Sequence, residues 1–145
     1  MTKLIVRKSI AVNVPPLKVW DILTSPDAIK RWMLVVPDFE SDSPLQLGSR
    51  VRWKDENGEP YLTGTVVALD SLSKLVFELD DISWAQKAGQ GDVTYALTLS
   101  EAENGTDLQL VFGDLAIDPE GQRWFDAYSA SRELDMIKGL AEGQP

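Results

Sequence analysis

The sequence predicts an α+β fold in which an antiparallel sheet packs against one long helix at the C-terminal end. Three observations predict it: period-two apolar alternation near the N-terminus, short strands separated by turns in the middle, and an apolar helical stripe within residues 119–141. A sheet and a helix that each have one apolar face bury those faces against each other. The 145 residues suit one domain, expected over 1–145, that buries roughly two-thirds of its unfolded surface.

One strand and two short helices are predicted in the first third of the chain. Residues 3–14 alternate apolar and polar side chains, which is typical of a half-buried strand. Pro15-Pro16 ends this strand and suits the start of a helix, and Asp27 suits the cap of a second short helix. Residues 35–47 contain prolines and acidic side chains and are interpreted as a loop.

Five further strands are predicted from residue 48 onward. Asn57-Gly58 is a hairpin signal, because a tight two-residue turn needs positive φ at its central positions. The polar segment 80–92, which contains Trp84, is expected to connect two of the strands. Consecutive strands joined by short turns form a meander, so the sheet is expected to be antiparallel.

The last element is predicted as one helix over residues 119–141. Asp118 suits its N-cap, and Pro119 suits its first helical position. Side chains three or four residues apart lie on one face of a helix, so an apolar stripe at that spacing is expected to face the sheet. The stripe consists of Ala127, Ala130, Leu134, Ile137 and Ala141.

The composition excludes several kinds of site. The chain has no Cys, which excludes disulfides, thiolate nucleophiles and Cys-ligated metals. It has no His, which excludes Ser-His-Asp triads and imidazole-bound metals. No catalytic residue, metal site or cofactor is therefore predicted, and an enzymatic activity is the less favoured interpretation.

Charge and hydropathy bear on partners and location. The chain has 23 acidic and 14 basic residues, a net charge of -9 and no cluster of Lys or Arg, so neither nucleic acid nor a membrane is an expected partner. The N-terminus lacks the apolar run of a signal peptide, and the apolar runs elsewhere fall short of the ~20 residues needed to span a bilayer. A cytoplasmic location is expected.

A family resemblance is carried by residues spread over nearly the whole chain. They are Ile10–Trp20, Leu23–Pro26 with Trp32, Gly64–Val66, Leu75–Phe77, Val93–Tyr95, Gly105–Leu108 and Arg123-Trp124. In this order they resemble the START-like (SRPBCC) superfamily, and within it the branch of the activator of the heat-shock chaperone ATPase. The resemblance implies the helix-grip fold of the birch pollen allergen. In that fold an antiparallel sheet wraps around a long C-terminal helix, and two short helices after the first strand close one end of a cavity.

The resemblance leaves several functions open, because this fold serves lipid carriers, cyclases, ring-hydroxylase subunits and co-chaperone domains. The leading hypothesis is non-enzymatic binding of a hydrophobic small molecule in a cavity between the sheet and the C-terminal helix. The alternative is a chaperone-regulating or other protein-interaction module, as a monomer or a homodimer. A cyclase-like or dehydratase-like enzyme ranks third, because the chain lacks His and shows no convergent pair of carboxylates.

Aromatic side chains are the candidates for the cavity wall. Trp and Tyr combine a large apolar surface with one hydrogen-bonding group, which suits the wall of a small-molecule site, although the same residues equally suit a plain core. Ser131, beside the helical stripe, points either into the cavity or to water. The candidates are Trp32, Trp53, Phe77, Tyr95, Phe112, Trp124, Tyr128 and Ser131.

Overall fold

The computed structural model describes residues 3–82 and 93–143, and its main feature is a seven-stranded antiparallel sheet. The strands are β1 (Val6–Val12), β2 (Asp38–Phe39), β3 (Arg50–Lys54), β4 (Pro60–Asp70), β5 (Lys74–Asp81), β6 (Thr94–Ala102) and β7 (Gly105–Gly113). Their order across the sheet is β1-β7-β6-β5-β4-β3-β2, so the first strand lies beside the last. Trp84, predicted to lie in a connecting segment, falls outside the described residues.

The alternating sequence pattern determines which side of each strand is buried. In β7, every second side chain from Thr106 to Phe112 is buried, and the partners between them are more exposed. The predicted turn at Asn57-Gly58 is present, with Gly58 at a φ of +80°. One strand differs from the prediction: β2 lies inside the segment interpreted as a loop. It pairs with β3 through two residues only, which is too short for a periodic pattern to reveal.

Two short helices follow β1, as predicted. Helix α1 (Pro16–Thr24) begins after Pro15. The N-cap of α2 (Pro26–Trp32) is Ser25, two residues before Asp27, where the cap was predicted. Proline is favoured in the first helical turn because that turn has no intrahelical partner for an N–H. Both helices bury one apolar face against the C-terminal part of the chain.

The C-terminal helical segment runs from residue 121 to residue 141 and is interrupted at residues 130–132. Its two parts are α3 (Gly121–Ser129) and α4 (Glu133–Ala141). It begins later than predicted because Asp118 forms a turn instead of a cap. The Asp118 carboxylate accepts the Glu120 N–H over 2.7 Å, and its carbonyl accepts the Gly121 N–H over 2.9 Å.

The interruption changes which residues face the sheet. Leu134, Ile137 and Ala141 are buried as predicted, but Ala127 and Ala130 are exposed. Tyr128 is buried in their place, and on an unbroken helix it would point about 120° away from Leu134. The interruption therefore lets both side chains reach the core. At that point the Lys8 ammonium donates to the Ser131 carbonyl over 2.6 Å.

The predicted helix-grip fold is confirmed. The sheet packs on the C-terminal helical segment, and α1 and α2 close one end. Helix α4 contacts β1, α1 and α2, whereas α3 contacts β1 and a short 3-10 helix, Leu115–Ile117. In residues 3–82 and 93–143, no helix is both long and apolar enough to cross a membrane.

Candidate functional site

Two adjoining cavities lie between the sheet and α3. The larger has a volume of about 60 Å³ and the smaller about 30 Å³. Small-molecule sites generally measure on the order of 300–1,000 Å³, so a ligand must displace part of the wall to enter. The side chains that line both cavities are Trp53, Leu62, Leu79, Phe112 and Tyr128.

A chain of aromatic rings crosses the wall of these cavities from the sheet to α3. The ring centroids lie 6.4 Å apart for Phe77 and Tyr95, 5.1 Å for Tyr95 and Phe112, and 4.7 Å for Phe112 and Tyr128. All three contacts are edge-to-face, which suits the charge distribution of aromatic rings. Trp124 of α3 extends this series of rings, and its ring centroid lies 6.4 Å from that of Tyr128.

A buried carboxylate, Glu133, lies beside the aromatic chain and is only 2% exposed. The Tyr95 hydroxyl donates to its Oε1 over 2.9 Å, and the Leu34 backbone N–H donates to its Oε2 over 2.7 Å. Glu133 is the first residue of α4, where the partial positive charge of a helix N-terminus favours a carboxylate. The interruption of the C-terminal helical segment thus directs this side chain into the core.

Burial shifts the pKa values of Glu133 and Tyr95. It raises the pKa of Glu133, while the Leu34 N–H, the Tyr95 hydroxyl and the charge of Lys8 oppose part of the rise. Burial and the neighbouring Glu133 charge raise the pKa of Tyr95 well above its ordinary value. Tyr95 therefore stays protonated and acts as a hydrogen-bond donor.

The larger cavity also has a polar part in its wall. Tyr61, Asp81 and Asp118 line it, and Asp81 is almost fully buried. Burial raises the pKa of Tyr61, and the negative charges of Asp81 and Asp55 raise it further. This side of the cavity therefore combines a hydroxyl group with negative charge.

Six of the eight predicted candidates lie on these walls: Trp53, Phe77, Tyr95, Phe112, Trp124 and Tyr128. Trp32 and Ser131 line neither cavity. Trp32 is buried in α2, where its indole N–H donates to the Ile22 carbonyl over 3.0 Å. The Ser131 hydroxyl is buried and has no hydrogen-bond partner among the described residues. That the six contact a ligand stays a prediction.

Sequence reasoning missed several residues of the wall, including Val35, Tyr61, Asp81 and Asp118. For Asp81 a signal existed, because it continues the buried alternation of Phe77 and Leu79 along β5. The others lie at positions where no local pattern distinguishes a wall from a surface.

Comparisons with known proteins agree with this architecture. Protein MLL2253 from Mesorhizobium loti is 19% identical, with a TM-score of 0.72 over 95% of this chain and 96% of that one. The Aha1 dimer from Colwellia psychrerythraea is 18% identical, with a TM-score of 0.66 over 99% and 98% of the two chains. DynU16, a protein in the dynemicin biosynthetic locus, is 16% identical, with a TM-score of 0.69 over 99% of this chain and 49% of that one.

These likenesses establish the fold, and the family follows from a different match. A search of the curated proteins gave no match to this chain. The model of the family "Activator of Hsp90 ATPase homolog 1-like protein", however, matches residues 13–142. This match covers most of the chain and agrees with the START-like architecture of the sheet and helices. The chain belongs to the Activator of Hsp90 ATPase homolog 1-like family of the START-like (SRPBCC) superfamily.

Proposed function

We propose that this chain binds a hydrophobic small molecule in the space between the sheet and α3. The observation that carries the proposal is the pair of adjoining cavities, with walls that are mainly apolar and aromatic. Such walls with a few polar groups are typical of small-molecule sites. Transfer of apolar surface from water into this space provides the binding free energy.

The polar groups in the wall restrict the chemistry of the ligand. Most of the described lining of the larger cavity is apolar, and Tyr61, Asp81 and Asp118 supply its polar groups. The preferred ligand is therefore a mainly apolar molecule with few polar groups.

A matched pair of ligands tests this proposal. Dodecylamine and dodecanoate have the same chain length and opposite charge at neutral pH, and both are used below their micelle concentrations. Thermal unfolding and tryptophan fluorescence are measured for each, together with a neutral polycyclic aromatic. A ligand that binds is expected to raise Tm, because it stabilises the folded state by about 2.7 kcal/mol at 100 times Kd.

Two variants control for nonspecific attraction to an acidic protein. Asp107→Asn, on the exposed face of β7, should leave ligand binding unchanged. Trp124→Phe should remove part of the optical signal if the ligand lies against α3, because Trp53 also lines the larger cavity. If no ligand shifts either Tm or fluorescence, the binding proposal is wrong.

A second candidate function follows from the family match over residues 13–142. The family description names an activator of the Hsp90 ATPase, and the candidate is the corresponding regulation of a chaperone by this chain. Purified chaperone ATPase is assayed with and without the chain. A stimulated rate, combined with no response to any apolar ligand, would favour this second candidate over the first.

A further inference from the structure

The segment of residues 33–37, here called the strap, connects α2 to β2 and forms one wall of both cavities. Its side chains alternate in direction. Met33 lines the smaller cavity and Val35 the larger, whereas Leu34 and Val36 are 45% and 49% exposed. The strap is neither helix nor strand. One side chain of this irregular segment thus lines each cavity.

Two side chains from opposite sides hold the strap in place. The Glu133 carboxylate of α4 accepts the Leu34 N–H over 2.7 Å, and the Trp53 indole of β3 donates to the Val35 carbonyl over 2.9 Å. Among residues 3–82 and 93–143, these side chains are the hydrogen-bond partners of the strap backbone at residues 34–36. The facing strands, in contrast, are joined by ladders of backbone bonds, with irregularities after Trp53 and between Val66 and Ala68.

We propose that the strap is the movable entrance to the cavities and that Glu133 and Trp53 are the two clasps that hold it closed. A ligand larger than the closed cavities must displace one wall. Displacing the sheet or α3 breaks a ladder or a helix. Displacing residues 34–36 of the strap breaks, among the described residues, the two hydrogen bonds to Glu133 and Trp53 and exposes Val35, while the Met33 N–H can keep its bond to the Ile29 carbonyl. Local opening is expected in the segment with the fewest such bonds. This inference takes its ligand from the proposed function, but the opening itself is measurable without one.

Glu133 is a positioning residue, because it lines neither cavity and acts through the strap. The groups that face it are Lys8 from β1, Tyr95 from β6, Tyr128 from α3 and the Leu34 N–H. A hydrogen bond to an ionised carboxylate is stronger than one to the neutral acid. Protonation of Glu133 at low pH should therefore loosen this clasp. Burial raises the pKa of Glu133, which moves the loosening toward milder pH.

Amide hydrogen exchange of Leu34, whose N–H donates to Glu133, tests the clasps by NMR. Glu133→Gln keeps the side-chain shape and weakens this bond, while Trp53→Phe removes the indole N–H together with part of the ring. Each should speed the exchange of Leu34 on the order of tenfold, the factor that corresponds to one typical hydrogen bond. Trp32→Phe is the matched control. It removes an indole-to-carbonyl bond of the same kind, to Ile22, and should change strap exchange by less than about twofold.

The exchange data discriminate between outcomes. Unchanged Leu34 exchange in both clasp variants would overturn the proposal. An equal acceleration at Leu97 in the middle of β6 would also overturn it, because that amide opens only with the sheet. In the wild type, strap exchange corrected for its intrinsic pH dependence should accelerate as the pH falls.

A kinetic measurement links the strap to ligand entry. Stopped-flow fluorescence follows binding of N-phenyl-1-naphthylamine, a neutral apolar fluorophore, to the wild type and Glu133→Gln. An entrance residue changes association and dissociation rates by the same factor, so both should rise while Kd stays within about twofold. A change in Kd through one rate alone would contradict the entrance role. If the fluorophore binds neither protein, the proposed function fails, whereas the exchange measurement still decides whether the strap opens.

Discussion

The two halves of the C-terminal helical segment pack against the same sheet in different ways. Around α4 the core is aliphatic and closed: Val19, Leu23, Ile29 and Ile137 have no exposed surface. Around α3 it is aromatic and contains both cavities, and neither cavity is lined by a residue of α1, α2 or α4. Protein interiors generally pack to crystal-like density, so the two cavities mark the α3 half as the less completely filled one.

The largest difference in stability between the two halves is expected when a leucine side chain is shortened to alanine. Leu134→Ala on α4 removes a buried side chain from the closed half and should cost about 2–5 kcal/mol of unfolding free energy. Leu62→Ala, at a half-buried side chain that lines both cavities, should cost less than about 2 kcal/mol. Urea unfolding measures both. A loss below about 1 kcal/mol for Leu134→Ala would mean that the α4 face is not packed as described.

A smaller difference in stability between the two halves is expected when a buried valine is enlarged to isoleucine. Val19→Ile adds a methylene group to the fully buried face of α1, where overpacking should cost about 1–3 kcal/mol. Val93→Ile adds the same group beside the larger cavity, which has room for it, and should change stability by no more than about 0.5 kcal/mol. Equal costs in thermal unfolding would show that the two halves are packed equally tightly.

The smallest effect on global stability is expected at Glu133, where the two halves meet. Burial raises the pKa of Glu133 in the folded protein. The contribution of its neutral form to stability is therefore fully present below the pKa of the unfolded chain and is lost as the pH rises through the folded pKa. Glu133→Gln removes the cost of the buried charge, so the variant should gain on the wild type as the pH rises from 4 to about 8. Urea unfolding across this range tests the sign. A wild-type advantage that grows with pH would show that the hydrogen bonds outweigh burial.

The strands and the aromatic wall could be predicted because their pattern is local. Phe77, Tyr95 and Phe112 lie on buried positions of alternating strands, and alternation fixes the inward side of a strand. The sheet therefore brings them together once the strand order is known. Their burial follows from sequence, whereas contact with a ligand stays a prediction.

The interruption at residues 130–132 and the role of Glu133 could not be predicted. A helical stripe assumes one continuous rotation, and that assumption placed Ala127 and Ala130 on the buried face, with Tyr128 beside them; the structure buries Tyr128 and exposes both alanines. Glu133 is stabilised in the core by Tyr95, 38 residues away, and by Leu34, 99 residues away. Partners at such separations leave no trace in a local pattern, so a buried carboxylate looks like a surface one.

The pairing of β1 with β7 has a consequence for how the chain reaches this structure. Strands β3 to β7 pair with neighbours along the chain, but β1 pairs Val6 with Phe112 and Val12 with Thr106. Long-range pairing of this kind is slow, because the loop-closure entropy is lost before the contacts form. During synthesis β1 leaves the ribosome first and has no partner until β7 has followed. Helices α1 and α2 must wait as well, since their apolar faces dock on α4. We therefore expect the seam between β1 and β7 to close late, and conditions that slow this closure to favour aggregation through the unpaired strand.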